Sequence, residues 1–476
     1  MNDKTFTEAI WSTNPSDLSD PSTCAQGHAS FTAGHGVNLE IPLGTLLDHE
    51  PINGVVTYGA EPLTADCVYG LSQTGAYLTI TKVFESRRSM TCPGFDCQAL
   101  HGHELMVSKK PMGSSPLVTT FTFDMAGLRE WVGISPTRHS VRYDDRNHLD
   151  EMTFRYAAAD VPDVVLFDKN GVKISADCMF TDKGGHIPQF EFGFVTDYRL
   201  TVSFDEPLPL GEVLDSWVFP VQKFLSFCMG FFGGISSMRF CTAEEVWADY
   251  YVALVEGDEP SKSDLTNMPL CWHSCSDRIP CMLDTWLGFE GFAKEAAIRV
   301  VSALADWRLP LELRFLAVAQ AFEAVTRVDA DLYELPAEEF ERRKSLVVSP
   351  VEETEVRQWV KQILHYANNK SAGKLAKEQM ERLGEFADYV VPDRKRFLTD
   401  HRQTRNYNTH LDAESKPHVL HGEDLLVHSD ATYLLLYASV CLLMGLEPAE
   451  LLKLLKKSGW KSTAFYKSRR LYAVGK

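Results

Sequence analysis

A chain of 476 residues with 45% hydrophobic and 24% charged residues is too long for one ordinary core, and its composition suits two or three globular domains. A net charge of −18 excludes a surface coated in positive charge for nonspecific nucleic-acid binding. The charge is uneven. Residues 296–476 carry 27 Lys and Arg against 25 Asp and Glu, whereas the preceding residues carry 20 against 40, so the second part is free to hold a polyanion locally.

The N-terminal text MNDKTFTEAIWSTNPSD has no basic flank and no apolar run, so no secretory signal is read there. The 11 cysteines are odd in number and irregularly spaced, which points to reduced thiols in a cytosol rather than a disulfide framework. A cytoplasmic protein is therefore expected.

Residues 1–210 read as a β-rich domain. GVVTYGA, AYLTITKVF, LVTTFTFDM, VVLFDK and YRLTVSF are short, rich in β-branched and aromatic residues, and bounded by turn residues. FDKNGVKI sets Asn-Gly between two strand-like runs, a hairpin signal because both residues tolerate positive φ. Many short strands with such turns predict a sandwich or an open barrel. Residues 211–298 read as a mixed helical and strand connector packed on that domain. LGEVLDSWVFPVQKFLSFCMGFFGG has helical spacing up to Gly233-Gly234, and SSMRFCTAEEVWADYYVALVEG returns to strand-like text.

From 299 to 476 the chain reads as an antiparallel helical bundle, so the whole is a multidomain α+β protein. LELRFLAVAQAFEAVTRV offers Leu313, Leu316, Ala317, Ala321, Ala324 and Val325 as an inward face. ATYLLLYASVCLLMGL is short for a membrane span, carries Thr432 and Ser439, and is read as a buried core helix, so no membrane partner is expected.

RNYNTH, Arg405 to His410, stands where the helical text RKRFLTDHRQTRNY gives way to NTHLDAESKPHVLHG. Arg405 is expected in the last turn of a helix and His410 at the start of the following loop. A near-decoy, Arg142 and His148 in RYDDRNHLD, lies in polar text of the β-rich half and is discounted. Arginine supplies a permanently charged fork for phosphoryl oxygens, and histidine moves protons near neutral pH. The bland alternative is a surface ion pair of Arg405 with Asp400 or Asp412, with His410 solvating a helix end.

An all-helical domain with R-N-x-x-x-H at the end of a main helix resembles the HEPN ribonuclease domains. The helix RFLAVAQAFEAVTRV, with Gln320 and Glu323 one turn apart, is similar to HEPN first helices. The resemblance covers roughly 300–460, and the β-rich half ahead of it resembles the architecture of ApeA-like bacterial antiviral proteins. It implies an endoribonuclease for anti-phage defence that works without a metal. The 2′-OH attacks the phosphorus and leaves a 2′,3′-cyclic phosphate and a 5′-OH, with tRNA a family-level target. It also implies a homodimer or higher homo-oligomer with both motifs facing one cleft. A nuclease free in its own cytosol is toxic, so the acidic N-terminal half is expected to sense or restrain, with a phage-derived trigger as the releasing partner. Arg405, His410 and Asn406 are then the catalytic residues, with Glu323 as an auxiliary that holds Arg405. The alternative is a catalytically silent HEPN-like dimerisation module with a ligand-binding β domain.

Arg394, Lys395, Arg396 and Arg402 precede the motif and are candidate RNA contacts. The tail KKSGWKSTAFYKSRRLY interleaves basic and aromatic residues, which suits either base stacking or packing on the bundle, with packing favoured. Two groups carry zinc-type ligands: Cys92, Cys97, His101 and His103, and Cys271, His273, Cys275 and Cys281. Any zinc there would be structural; no cofactor is expected for catalysis. The text has no P-loop, Rossmann fingerprint, HExxH or nucleophile elbow.

Overall fold

The computed structural model describes residues 3–48, 62–89, 94–135, 137–157, 161–182, 194–254, 259–305, 309–411 and 419–475. The strand expected at GVVTYGA lies outside these. The chain divides into two compact units, Met1–Thr266 with Leu270–Leu283, and Asn267–Pro269 with Asp284–Lys476.

The first unit is built on antiparallel strands: β1 (Lys4–Ser12), β2 (Ala25–Thr32), β3 (Gly36–Ile41), β4 (Thr64–Ser72), β5 (Tyr77–Ser89), β6 (Cys97–Gly102), β7 (Glu104–Ser108) and β8 (Leu117–Met125). They continue as β9 (Thr137–Tyr143), β10 (Leu149–Tyr156), β11 (Val164–Lys169), β12 (Val172–Asp182), β13 (Phe194–Pro209), β14 (Ile235–Thr242) and β15 (Trp247–Val252). Six strands close a ring in the order β4, β1, β2, β3, β6, β5 and back to β4. The barrel is thus closed rather than open. Alternation fills it: in β3, Val37, Leu39 and Ile41 are buried while Asn38 and Glu40 face out.

β5 belongs to two structures. Its first half pairs with β7 up to Thr81, and from Phe84 it pairs with β6. Lys82, at φ 52°, marks the bend between the two registers. Beyond β7 the sheet runs on through β15, β14, β8, β13, β12 and β11. Strands β14 and β15 therefore join the same sheet as the β-rich text before residue 210. The Asn170-Gly171 turn joins β11 to β12 with φ of 54° and 76°, as the type of turn requires. Among the described residues β9 and β10 pair only with each other, and the decoy sits there: Arg142 binds Asp150 and Glu151, and His148 lies near Asp144.

Helices of this unit are α1 (Leu128–Val132), α2 (Leu210–Val213) running through a π-type turn at Leu214–Val218 into α3 (Phe219–Met229), then α4 (Lys262–Thr266) and α5 (Trp272–Cys275). The helix ends at Met229, before the expected Gly233-Gly234, because Gly230 takes the left-handed cap position at φ 76°. α6 (Ile279–Leu287) spans the division between the units.

The second unit holds α7 (Gly291–Ala305), α8 (Leu311–Val325), α9 (Ala337–Val348), α10 (Thr354–Leu364), α11 (Ala372–Val390), α12 (Arg394–His410), α13 (Gly422–Leu443), α14 (Pro448–Ser458) and α15 (Ser462–Leu471). The expected 211–298 segment is thus divided, its strands in the sheet and α7 in the helical unit. α13 is long and apolar enough to cross a membrane by length and composition, and 83% of its apolar window is buried inside the protein. The face of α8 matches expectation in part. Ala321 and Val325 are buried as expected, together with Phe315, Val318, Ala319 and Phe322, whereas Leu313 is 52% exposed, because the bulkier phenylalanines take the inward positions.

Trp11 is fully buried in the barrel, opposite Gly70 across β1 and β4. A Cβ at Gly70 would come within 2.6–2.9 Å of three Trp11 ring carbons. Gly70→Ala is expected to destabilise the β-unit by about 1–3 kcal/mol through overpacking, read as a lower chemical-denaturation midpoint. An unchanged midpoint would contradict this packing.

Candidate active site

Helices α8 and α12 bring two motifs of the sequence together. The Arg405 Nε lies 3.0 Å from Glu323 Oε1, and its Nη2 donates to Glu323 Oε2 at 3.1 Å. This is the bidentate fork that a guanidinium makes with a carboxylate, and both side chains are only partly exposed. Nη1 donates to Asn406 Oδ1 at a longer 3.4 Å. A guanidinium has five N–H donors, so this leaves donors on both Nη atoms for a phosphate. The site is therefore a fixed cation, pre-oriented by an acid one helix away.

His410 stands on the same helix. α12 runs three residues further than its Asn-rich text suggests, and His410 is its last helical residue. The cap is Leu411, in the left-handed conformation at φ 51°, whose N–H donates to Tyr407 O at 2.7 Å. A left-handed leucine is strained, so the chain holds a costly reversal directly after the histidine. The return is tied down by Leu420, whose N–H donates to the buried Thr404 hydroxyl at 3.2 Å. His410 is exposed and makes no hydrogen bond within the described residues. Five positions along an unbroken helix turn through about 500°, leaving the Arg405 and His410 side chains roughly 140° apart. The two side chains therefore leave the helix in different directions.

A polar chain that the sequence reading missed runs beneath Arg405. His401, one turn earlier, is buried among Phe315, Phe322 and Phe397. Its Nδ1 lies 3.3 Å from His428 Nε2, and His428 Nδ1 lies 2.6 Å from the Tyr472 hydroxyl, which bonds the Asp400 carboxylate. Burial, with Arg405 nearby, pushes His401 down to about 4, and burial with His401 nearby holds His428 well below its usual value. Both rings are neutral near pH 7, and His401 Nε2 is buried without a partner. The sequence signal was weak: one histidine on the polar α12, one on the apolar α13, and an aromatic near residue 472.

The other candidates separate by geometry. Arg394 donates to Asp388, to Met380 O and to Gly384 O. Those carbonyls are freed where Gly384, at φ 49° and ψ −123°, interrupts α11, so Arg394 mends a kink rather than facing RNA. Arg396 donates to Leu471 O at 2.9 Å and lies near Asp400 and over the Tyr472 ring. Lys395 and Arg402 are exposed and seven positions apart, hence on one face of α12. In the tail, Trp460, Phe465 and Tyr472 are buried and only Tyr466 is well exposed.

Among the described residues no group of three or more His, Cys, Asp or Glu could hold a metal. Cys275 is buried, Cys281 is exposed, and burial pushes the Cys271 thiol up to about 11. His273 packs against Gly133 instead. In the other group Cys92 lies outside the described residues, and His101 bonds Asn38 at 2.9 Å.

The buried histidines carry a pH dependence. Their folded pKa values lie below the unfolded value near 6.5, so protonation favours the unfolded chain. Their stabilisation is whole above pH 6.5 and is lost as pH falls from there toward about 4. The helical unit should lose up to about 1.4 kcal/mol per pH unit for each histidine. Denaturation midpoints measured at pH 7 and pH 5 test this, and equal midpoints would contradict neutral burial.

Comparison with known families matches both units. The family model described as Apea-like HEPN matches residues 316–450, and that described as ApeA N-terminal domain 1 matches residues 20–246. No curated protein and no solved structure matches the chain. The HEPN match takes in Glu323, Arg405 and His410, and the N-terminal match takes in most of the barrel and the sheet beyond it. Between them they cover most of the sequence, and the chain belongs to the ApeA-like HEPN proteins.

Proposed function

We propose that the protein is an endoribonuclease of antiviral defence, cutting RNA by attack of a ribose 2′-OH on the adjacent phosphorus. The observation that carries this reading is a fixed, partly buried Arg405 on the same helix as an exposed His410 that no described residue engages. HEPN membership supports it at the level of the family.

Each residue type answers one demand of the reaction. His410 takes the proton of the 2′-OH or returns one to the leaving 5′-oxygen, a role suited to an imidazole near neutral pH. Arg405 stabilises the charge that grows on the phosphoryl oxygens, through the N–H donors that Glu323 leaves unused. Glu323 fixes the fork and so removes the orientational cost of arginine at the moment of reaction. Asn406 holds the Nη1 side of the fork and can donate its amide to a phosphate oxygen. Nothing in this division of labour asks for a metal.

The angle between the two side chains adds a requirement. Because Arg405 and His410 diverge on one helix, the arginine of one chain and the histidine of another form the working pair. That supports a homodimer, with Lys395 and Arg402 as exposed cations along the approach of RNA. The substrate class favoured by the family is tRNA, the N-terminal half restrains the site until a phage-derived trigger acts, and the setting is the cytoplasm.

Arg405→Ala and His410→Ala should each lower cleavage in EDTA by about a hundredfold or more. Cleavage undiminished by either substitution would remove that residue from the site. Co-expressing the two variants should restore part of the activity, since a mixed dimer rebuilds one intact pair. A mixture as inactive as each variant alone would place both residues in a single chain's site.

A further inference from the structure

The helical unit has a second cavity, of about 200 Å³, between α7, α8 and α13. Leu304, Leu309 and Val318 give it an apolar wall. Tyr433 also lines it and is 5% exposed, with a buried hydroxyl that has no hydrogen-bond partner.

Among the described residues that line the cavity, Arg299, Arg314 and Lys461 stand against one acid, Asp430. Arg299 donates to Gln320 at 3.3 Å and lies 3.5 Å from Glu295. Arg314 is half-buried, and its guanidinium makes no hydrogen bond or ion pair within the described residues. Lys461 is held in the left-handed region at φ 49°, with its Nζ 5.0 Å from the centre of the Tyr433 ring. A lysine kept in a conformation that side-chain-bearing residues avoid, at the rim of a cavity, marks a position fixed by its surroundings. The net local charge is positive in a chain of net charge −18.

We propose that this cavity binds a small molecule made of a flat apolar ring bearing one anionic group. A cavity of about 150 Å³ already holds benzene, so the ring fits against Leu304, Leu309 and Val318. The anionic group meets Arg314 and Lys461, and the ring lies beside Tyr433. The site is separate from the candidate active site. Arg314 precedes Glu323 by nine positions, about 900° of rotation, so the cavity opens on the opposite side of α8 from Arg405.

The probe is phenyl phosphate, titrated calorimetrically into the full-length protein, with inorganic phosphate and phenol as halves of the same molecule. Phenyl phosphate should bind at least about tenfold more tightly than either half, since ring and charge are both used. Arg314→Glu should weaken it by about tenfold or more. A variant lacking both Arg405 and His410 should bind as the parent does, which keeps this site apart from the proposed nuclease. Binding no tighter than that of inorganic phosphate would overturn the proposal. So would binding indifferent to Arg314→Glu, or binding abolished with Arg405 and His410.

Discussion

The helical unit is organised by a helix that has no polar side. α13 is apolar around its circumference, and from Leu425 to Cys441 nearly every residue is buried. Such a helix is stable in water only when neighbours cover every face, and α7, α8, α11, α14 and α15 all pack on it. Two of its hydroxyls are satisfied within the helix: Thr432 donates to His428 O and Ser439 to Leu435 O. His428 instead reaches out to His401 and Tyr472, and through them to Asp400. The core thus sets the depth and roll of α12 by directional bonds as well as by packing, and the Glu323–Arg405 fork follows from where α8 and α12 are held.

Helical periodicity then constrains what the site can be. An arginine and a histidine four apart would share a face; five apart on an unbroken helix they do not. Arg405 turns inward to Glu323 while His410 faces solvent beside the strained Leu411. Glu323 has two consequences. It orients the fork, and it also sets a negative charge beside the cation that a phosphate must meet. A partly exposed bidentate pair is a modest interaction, so a polyanion arriving at the remaining donors can share the guanidinium without dislodging it.

Much of this was legible in the sequence where local chemistry decides the outcome. The Asn170-Gly171 hairpin follows from residues that accept positive φ, and β8 and β11 fall on the strand-like runs read at 117–125 and 164–169. Closure of the barrel was not legible, because it depends on β5 changing partners at Lys82, a long-range choice. The end of α12 was misjudged because Asn408 and Thr409 look like helix breakers, yet the Asn408 amide bonds back to Thr404 O inside the helix. Arg394 and Arg396 looked like free cations because their partners are backbone carbonyls far away in sequence, which carry no residue signature. Cysteine spacing alone could not show that Cys275 and Cys281 differ so much in burial.

The central claim is that the motif works across two chains, so its most direct test is the distance between them. A spin-labelled non-natural residue at position 410, measured by pulsed electron resonance in the assembled protein, reports that distance between the two copies. If both motifs face one cleft, the labels should lie within roughly two helix diameters, about 20–25 Å. A monomer with no dipolar signal, or a dimer whose 410 positions lie far beyond that range, would contradict the account.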